Sequence, residues 1–273
     1  MDLETLAATP SWEWPDDAVD TLFEVLADDQ AEVQDRALAV ELAGDYAVIE
    51  DRLAGAILAI GRNADEPEEL RALALIAFGP ALEHADMEGF GDPEQELLSE
   101  AVVGNVLQVL QALYLDTANP ILVRRMALEA SAHAPQEWHG DAISEAYASE
   151  EHEWRITAVF CMRFVNGFEA QILEALDYDD LGLAFLAVGA AGNWQVDAAW
   201  DRVVTFATDV DYELDLRLEA IEAVACLRPA EAAEVLAPLL EDKDEDIVEA
   251  ASEALDMAEA LQSMEEEGEE TEH

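Results

Sequence analysis

The stretch Val235-Leu236-Ala237-Pro238-Leu239-Leu240-Glu241-Asp242, followed by Asp246-Ile247-Val248-Glu249-Ala250-Ala251-Ser252-Glu253-Ala254-Leu255, decides how the chain is read. Ala232–Leu240 is an apolar run of helical length, and Asp244 lies in an acidic turn after it. Beyond the turn Ile247 opens a second run, with the small residue Ala251 four positions on. Positions four apart share one face of an α-helix, so the aliphatic and the small residue pack together while the acids between them meet water. The unit is a helix, an Asp turn and a second helix.

The arrangement recurs upstream. An apolar anchor, usually followed by Arg, precedes a small residue by four positions in Leu70-Arg71 with Ala74, Val123-Arg124 with Ala127, Trp154-Arg155 with Ala158 and Leu216-Arg217 with Ala220. Leu181-Gly182 with Phe185 is a weaker copy, and Val33-Gln34 with Ala37 is a first copy whose register Arg36 blurs. Successive anchors lie 37, 53, 31, 27, 35 and 31 residues apart, the interval of repeated supersecondary units. In the sixth unit Leu218, Ile221 and Ala225 share one face, leaving Asp215, Glu219 and Glu222 for water. Second apolar stretches precede the anchors at Val19–Ala27, Arg52–Ile60, Ala142–Ala148 and Val196–Ala207. Asp28, Asp65, Asp116, Asp177, Asp211 and Asp244 lie in the turns. There an Asp oxygen can accept the orphan N–H groups of the next helix, and its charge suits the positive helix end. One such hairpin cannot bury both its apolar faces, whereas a stack can. No alternating strand pattern interrupts the series. The expected fold is all-α: a right-handed α-α superhelix, or α-solenoid, of about seven hairpins spanning residues 1–262 as one domain.

The last unit resembles a HEAT repeat, whose pattern is an aliphatic-Pro-Leu-Leu helix, an Asp turn and Val-Arg-x-x-Ala-x-x-Ala-Leu. The likeness covers about residues 18–260 and includes the PBS-lyase HEAT-like type. It implies a ladder in which the turn Asp and the Arg after the anchor link neighbouring repeats, holding Arg71, Arg124, Arg155 and Arg217, with Gln34, Gly182 and Val248 as gaps. It also implies an alternative function as a bilin-lyase-like enzyme or accessory protein. The ligand propionates would then need Arg partners, which only the central arginines could supply.

Two regions depart from the repeat. An insertion at about 79–100 lengthens one interval and contains the turn cluster Gly89-Phe90-Gly91-Asp92-Pro93. The tail 263–273 is rich in Glu, has no core-forming pattern and is expected to be disordered. Trp12 and Trp14 are expected to pack over the first hairpin as an N-terminal cap.

Charge narrows the function classes. Of 273 residues, 64 are acidic and 12 basic, so the formal charge is 12 − 64 = −52, yet 52% are hydrophobic. That much apolar surface builds a core and separates the chain from a disordered polyacid. Nucleic-acid and anionic-membrane binding are excluded, because both need clustered Lys and Arg. Eleven arginines against the single Lys243, amid dense carboxylates that hold hydrated cations, fit adaptation to high salt, which screens self-repulsion. A basic protein partner is the rival account of the acidity. Cys161 and Cys226 stand alone, neither a disulfide framework nor a zinc spacing. The acidic Met1-Asp2-Leu3-Glu4 is unlike the basic start of a signal peptide, and the longest uncharged runs, Ala101–Leu115 and Leu181–Val196, are too short to span a bilayer. A cytoplasmic location is expected.

No phosphate-binding glycine loop or nucleophile elbow occurs. His133 and His139 flank Glu137, but Pro135 lies between them and their spacing does not set two imidazoles on one helical face. Asp242, Asp244, Asp246 and Glu253 match four positions of a calcium loop, yet Ile247 stands where that loop needs Gly. No catalytic residue, metal or cofactor is assigned. Residues 101–200 hold only 14 of the acids but 11 of the 19 aromatics. Interface cores lose charge and gain aromatics and Arg, so Arg124, Arg125, Trp138, Trp154, Arg155 and Trp194 are the candidate contacts for a protein partner or for self-association. The expected function is a non-catalytic HEAT-repeat scaffold acting through these central repeats. A nucleic-acid mimic whose acidic rows occupy a basic protein is the other alternative.

Overall fold

A computed structural model describes residues 2–45, 48–90 and 97–271, the stretch 265–271 by its backbone alone. The described residues are helical and contain no strand. A short helix α1 (Leu3–Ala7) precedes hairpins α2 (Ala18–Ala27)/α3 (Val33–Ala43) and α4 (Asp51–Arg62)/α5 (Glu68–Ile76). Helix α6 (Gly79–Glu88) follows, then hairpins α7 (Glu100–Leu115)/α8 (Ile121–Ala132) and α9 (His139–Tyr147)/α10 (His152–Met162). The series ends with α11 (Glu169–Leu176)/α12 (Leu181–Asn193), α13 (Trp200–Thr208)/α14 (Leu214–Leu227) and α15 (Pro229–Leu236)/α16 (Glu245–Thr271). Every anchor segment lies at the start of a second helix.

Helix α4 shows why these residues are helical. Leu53, Ala54, Ile57, Leu58, Ile60 and Gly61 are buried, a stripe of period 3.6. Asp51 sits in its first turn and Arg62 in its last, each matching the sign of the dipole end it meets. The helix stops at Asn63, whose backbone is extended and whose side chain accepts the N–H of Asp65 at 3.1 Å. Pro67 then opens α5 at φ −55°, and its carbonyl accepts the first helical bond, from Arg71.

The same turn is built elsewhere. Asp28, Asp116, Asp209 and Asp242 each stand at the end of a first-helix segment and accept the N–H two residues on, from Gln30, Ala118, Asp211 and Asp244. This corrects the expected capping role for Asp28 and Asp116, whereas Asp244 does cap the next helix, accepting the N–H of Asp246 in the first turn of α16 at 3.1 Å. Asp28 and Asp116 close the preceding helix by an Asx turn, because a short carboxylate reaches its own local backbone first. At the start of a repeat's second helix, a side-chain cap is made by Asp180, which accepts the N–H groups of Gly182 and Leu183.

The chain divides into two compact units, Met1–Ala142 and Ile143–His273, where the repeat pattern leads one to expect a single solenoid. The boundary falls within α9, the first helix of the fourth hairpin. In the first unit α3, α5 and α8 pack in succession, with α2, α4 and α7 behind them and α6 laid on α8. In the second unit α10, α12, α14 and α16 pack in succession. The 79–100 insertion thus contributes a helix, α6; the Gly91-Asp92-Pro93 part of its turn cluster lies outside the described residues. Helix α16 runs on to Thr271 instead of giving way to a disordered tail at 263, in keeping with the high helix propensity of Glu; residues 272–273 lie outside the described residues. Trp14 closes the N-terminus by donating its indole N–H to the carbonyls of Leu6 and Thr9, whereas Trp12 is 84% exposed and caps nothing. No helix among the described residues is long and apolar enough to cross a membrane.

Candidate partner-binding face

The arginines come first, because they set the register of the second helices. Arg71 is buried and donates from Nε to the Gly61 carbonyl and from its terminal nitrogen to Asn119 in the next turn, at 3.1 and 2.8 Å. Burial without a carboxylate partner pulls its pKa below the ordinary value. Arg217 reaches Asp242 of the next turn at 3.3 Å. The Asp244 N–H holds that carboxyl below the usual range, with Arg217 adding to the effect against some desolvation. Arg124 and Arg155 turn back within their own hairpins, onto the carbonyls of Tyr114 and Ser149.

In the first hairpin the expected gap at Gln34 is misplaced. Arg36, not Gln34, stands at the rung position: it is buried, pairs with Glu66 of the next turn at 2.8 Å and is followed by buried Ala39 and Val40, as Arg71 is followed by Ala74 and Leu75. Val33 is 46% exposed because the first turn of α3 precedes the core contact. In the fifth hairpin Asp180 starts α12 at Leu181, so Leu181 points out and Leu183 is the buried anchor. Ala184, not Gly182, then occupies the rung position.

The six central candidates are engaged inside the fold. In the first unit the Arg124 guanidinium lies 5.7 Å from the centre of the Tyr114 ring, on which Trp138 stacks at 5.3 Å. Arg125 lies 3.8 Å from Glu129, one helical turn on. In the second unit Trp154 is buried as its repeat's anchor, Arg155 lies 5.6 Å from the Tyr178 ring centre, and Trp194 donates its indole N–H to the Met162 carbonyl at 2.7 Å. Aromatics gather in this part of the chain because they fill anchors and helix ends. His139 is buried in a hydrogen-bonded chain: Nδ1 accepts the Gln136 N–H, Nε2–H donates to Ser131 Oγ, and that hydroxyl donates to the Leu128 carbonyl. Burial lowers its pKa to about 4, partly offset by the Gln136 contact. The described residues group no three His, Cys, Asp or Glu side chains as metal ligands.

An open groove of about 790 Å³ lies along the second helices of the second unit. Phe185 of α12, Leu218 of α14, and Ala250, Ala254 and Met257 of α16 form its apolar floor. Leu218 was expected in the core with Ile221 and Ala225; those two are fully buried, while Leu218 is half-buried in the groove. Six carboxylates line the walls: Asp215, Glu219, Glu222, Asp246, Glu249 and Glu253. They follow from helical spacing, since Asp215 and Glu222, like Asp246 and Glu253, are seven residues apart and share a face. No Lys or Arg lines the groove. Glu219 meets Arg163 at 3.2 Å across Gly189, where a Cβ would run into both side chains. Burial nonetheless pushes the Glu219 carboxyl above its ordinary range, against the pull of Arg163 and reinforced by Glu222.

Stacked helical hairpins, arginine rungs and repeated Asx turns describe one architecture. The chain is a helical-repeat solenoid protein. No protein-family model and no curated protein matches it. Among solved structures it is similar to human deoxyhypusine hydroxylase in complex with glycerol, at 18% identity over 94% of this chain and 88% of that one, TM-score 0.42. It is also similar to Escherichia coli YibA, at 16% identity over 93% and 84%, TM-score 0.46. A third similar structure is an engineered protein, at 18% identity over 94% and 71%, TM-score 0.45.

Proposed function

We propose that this chain is a HEAT-like, non-catalytic scaffold that binds another protein, and that it binds through the second-helix groove of its second unit. The observation that carries this reading is the groove itself: half-buried Phe185, Leu218 and Met257 lie open beside carboxylates. The central arginines and tryptophans, by contrast, have partners within the fold, which moves the proposed face away from them. Apolar side chains left at a surface and ringed by polar ones are the usual mark of an interaction site. High-salt adaptation belongs to the same proposal, since at molar salt charge attraction is screened within about 3 Å and the apolar floor would carry the affinity. The test is affinity capture from the source cells with the intact chain and with Leu218→Ser/Met257→Ser, both shown folded by circular dichroism. A partner held by the intact chain and lost by the variant is the expected result. A partner set unchanged by the variant overturns this placement.

A further inference from the structure

The groove's charge pattern narrows the occupant further, given the reading above on which this inference rests. Asp215 and Asp246 occupy equivalent positions in their helices, one residue before the anchors Leu216 and Ile247. Glu222 and Glu253 are likewise equivalent, seven residues further along each helix. Seven residues of helix span about 10 Å, so two pairs of carboxylates bracket an apolar strip containing Leu218 and Ala250. Among the described residues these four carboxylates have no arginine or lysine within ion-pair distance, and Arg163 reaches only Glu219. A second copy of this chain, at net charge −52, would bring like charge to like charge. So would the chain's own Glu-rich C-terminal segment.

We infer that the groove takes a basic segment of a partner protein in which an apolar side chain is flanked by Lys or Arg. The apolar side chain seats among Phe185, Leu218 and Met257. The flanking cations meet the Asp215/Asp246 pair on one side and the Glu222/Glu253 pair on the other. In a segment of polyproline-II form, with three residues per turn, cations three residues apart lie on one side and span about 9 Å, close to that separation. A cation arriving beside Glu222 would oppose the upward push that burial and Glu222 give the Glu219 carboxyl.

Fluorescence anisotropy with synthetic peptides tests this on the full chain. The probe carries the repeated pattern Arg-Leu-Ser-Lys; one comparison peptide replaces each Leu with Ser at equal charge, and another replaces Arg and Lys with Glu. Two folded variants accompany it. One is Asp215→Asn/Glu222→Gln/Asp246→Asn/Glu253→Gln. The control, Asp16→Asn/Glu24→Gln/Glu68→Gln/Glu69→Gln, removes the same charge from exposed positions of the first unit. The Arg/Leu/Lys peptide is expected to bind the intact chain, to weaken about tenfold with the groove variant and to stay within about twofold with the control. The Leu-free peptide should bind about tenfold more weakly. Equal loss with both variants, or equal binding of the Leu-free peptide, means attraction to the acidic surface at large and overturns the inference. If the Leu218→Ser/Met257→Ser capture experiment identifies a partner but the segment cross-linked at the groove is acidic or uncharged, this inference fails while the proposed function stands. If neither peptide nor partner depends on the groove, both fail.

Discussion

The second-helix groove has a counterpart in the first unit, and the two are built on opposite electrostatic terms. A groove of about 610 Å³ lies chiefly along the first helices α2 and α4, lined by Phe23, Ala56 and Ile60, by three acids, Asp29, Asp51 and Glu66, and by two arginines, Arg36 and Arg52. Its cations are committed. Arg36 is held by Glu66, and Arg52 bonds Asp20 while its guanidinium lies 3.8 Å from the centre of the Phe23 ring. Six carboxylates and no lysine or arginine line the second groove. In the first groove both cations are already held by carboxylates; in the second, five of the six lining carboxylates have no arginine or lysine within ion-pair distance among the described residues. In so acidic a chain, a carboxylate is informative only when its surroundings are counted.

The largest expected effect separates the two on stability. Arg36→Ala leaves the half-buried Glu66 without its cation and should cost about 3 kcal/mol in urea denaturation, the lower end of the range for a fully buried pair. Neutralising Asp215, Glu222, Asp246 and Glu253 together should instead raise Tm at low salt, and the gain should vanish in molar KCl as screening removes the repulsion. A loss of stability in the second variant would mean that those carboxylates are already satisfied, and the contrast would collapse.

A smaller effect concerns pH. A carboxyl whose folded pKa lies above its unfolded value favours folding below the unfolded pKa, and that contribution is lost as pH rises through the folded one. Glu219, shifted upward, follows this rule. Glu219→Gln should therefore gain Tm relative to the parent chain at pH 7 more than at pH 4. An opposite difference would mean that the Arg163 pair outweighs burial. His139 gives the reverse slope. Its pKa is depressed from 6.5 to about 4, so the unfolded chain takes up a proton first and stability drains away as pH falls across that window. His139→Asn should remove that part of the acid sensitivity, measured as the difference in Tm slope between the two proteins.

The smallest effect is at Arg52, whose ion pair with Asp20 is largely exposed, at 46% and 64% of the two side chains. Arg52→Ala should cost less than about 1 kcal/mol, against about 3 for Arg36→Ala. Comparable losses would mean that burial does not divide the two arginines.

The repeat was legible because its signals are local: an apolar anchor, a small residue four positions on, and an Asp-rich turn suffice to place the second helices. Register was less legible. Arg36 reads as noise beside Val33 until Glu66, in another hairpin, shows it to be a rung. Asp28 and Asp116 close the helix before them while Asp244 caps the helix after it, because an Asp between two helices suits either end and only backbone geometry decides which. The candidate face was hidden for a different reason. Asp215 and Glu222 face water as read, but Glu219 is largely covered and paired with Arg163, Leu218 leaves the face it was read to share with Ile221 and Ala225, and the groove appears only when Phe185 and Met257 arrive beside it from other hairpins. The central tryptophans drew notice by their frequency, although frequency cannot distinguish an anchor such as Trp154 from an exposed contact.

The most direct test places a photo-cross-linking amino acid at Leu218 in the second-unit groove and, separately, at Ala56 in the first-unit groove, in chains expressed in the source cells. Cross-linking of one defined protein from Leu218, through a Lys- or Arg-bearing segment and without the same product from Ala56, is the predicted result. The same product from both positions, or a product from Ala56 alone, would contradict the assignment of the second-helix groove as the partner-binding face.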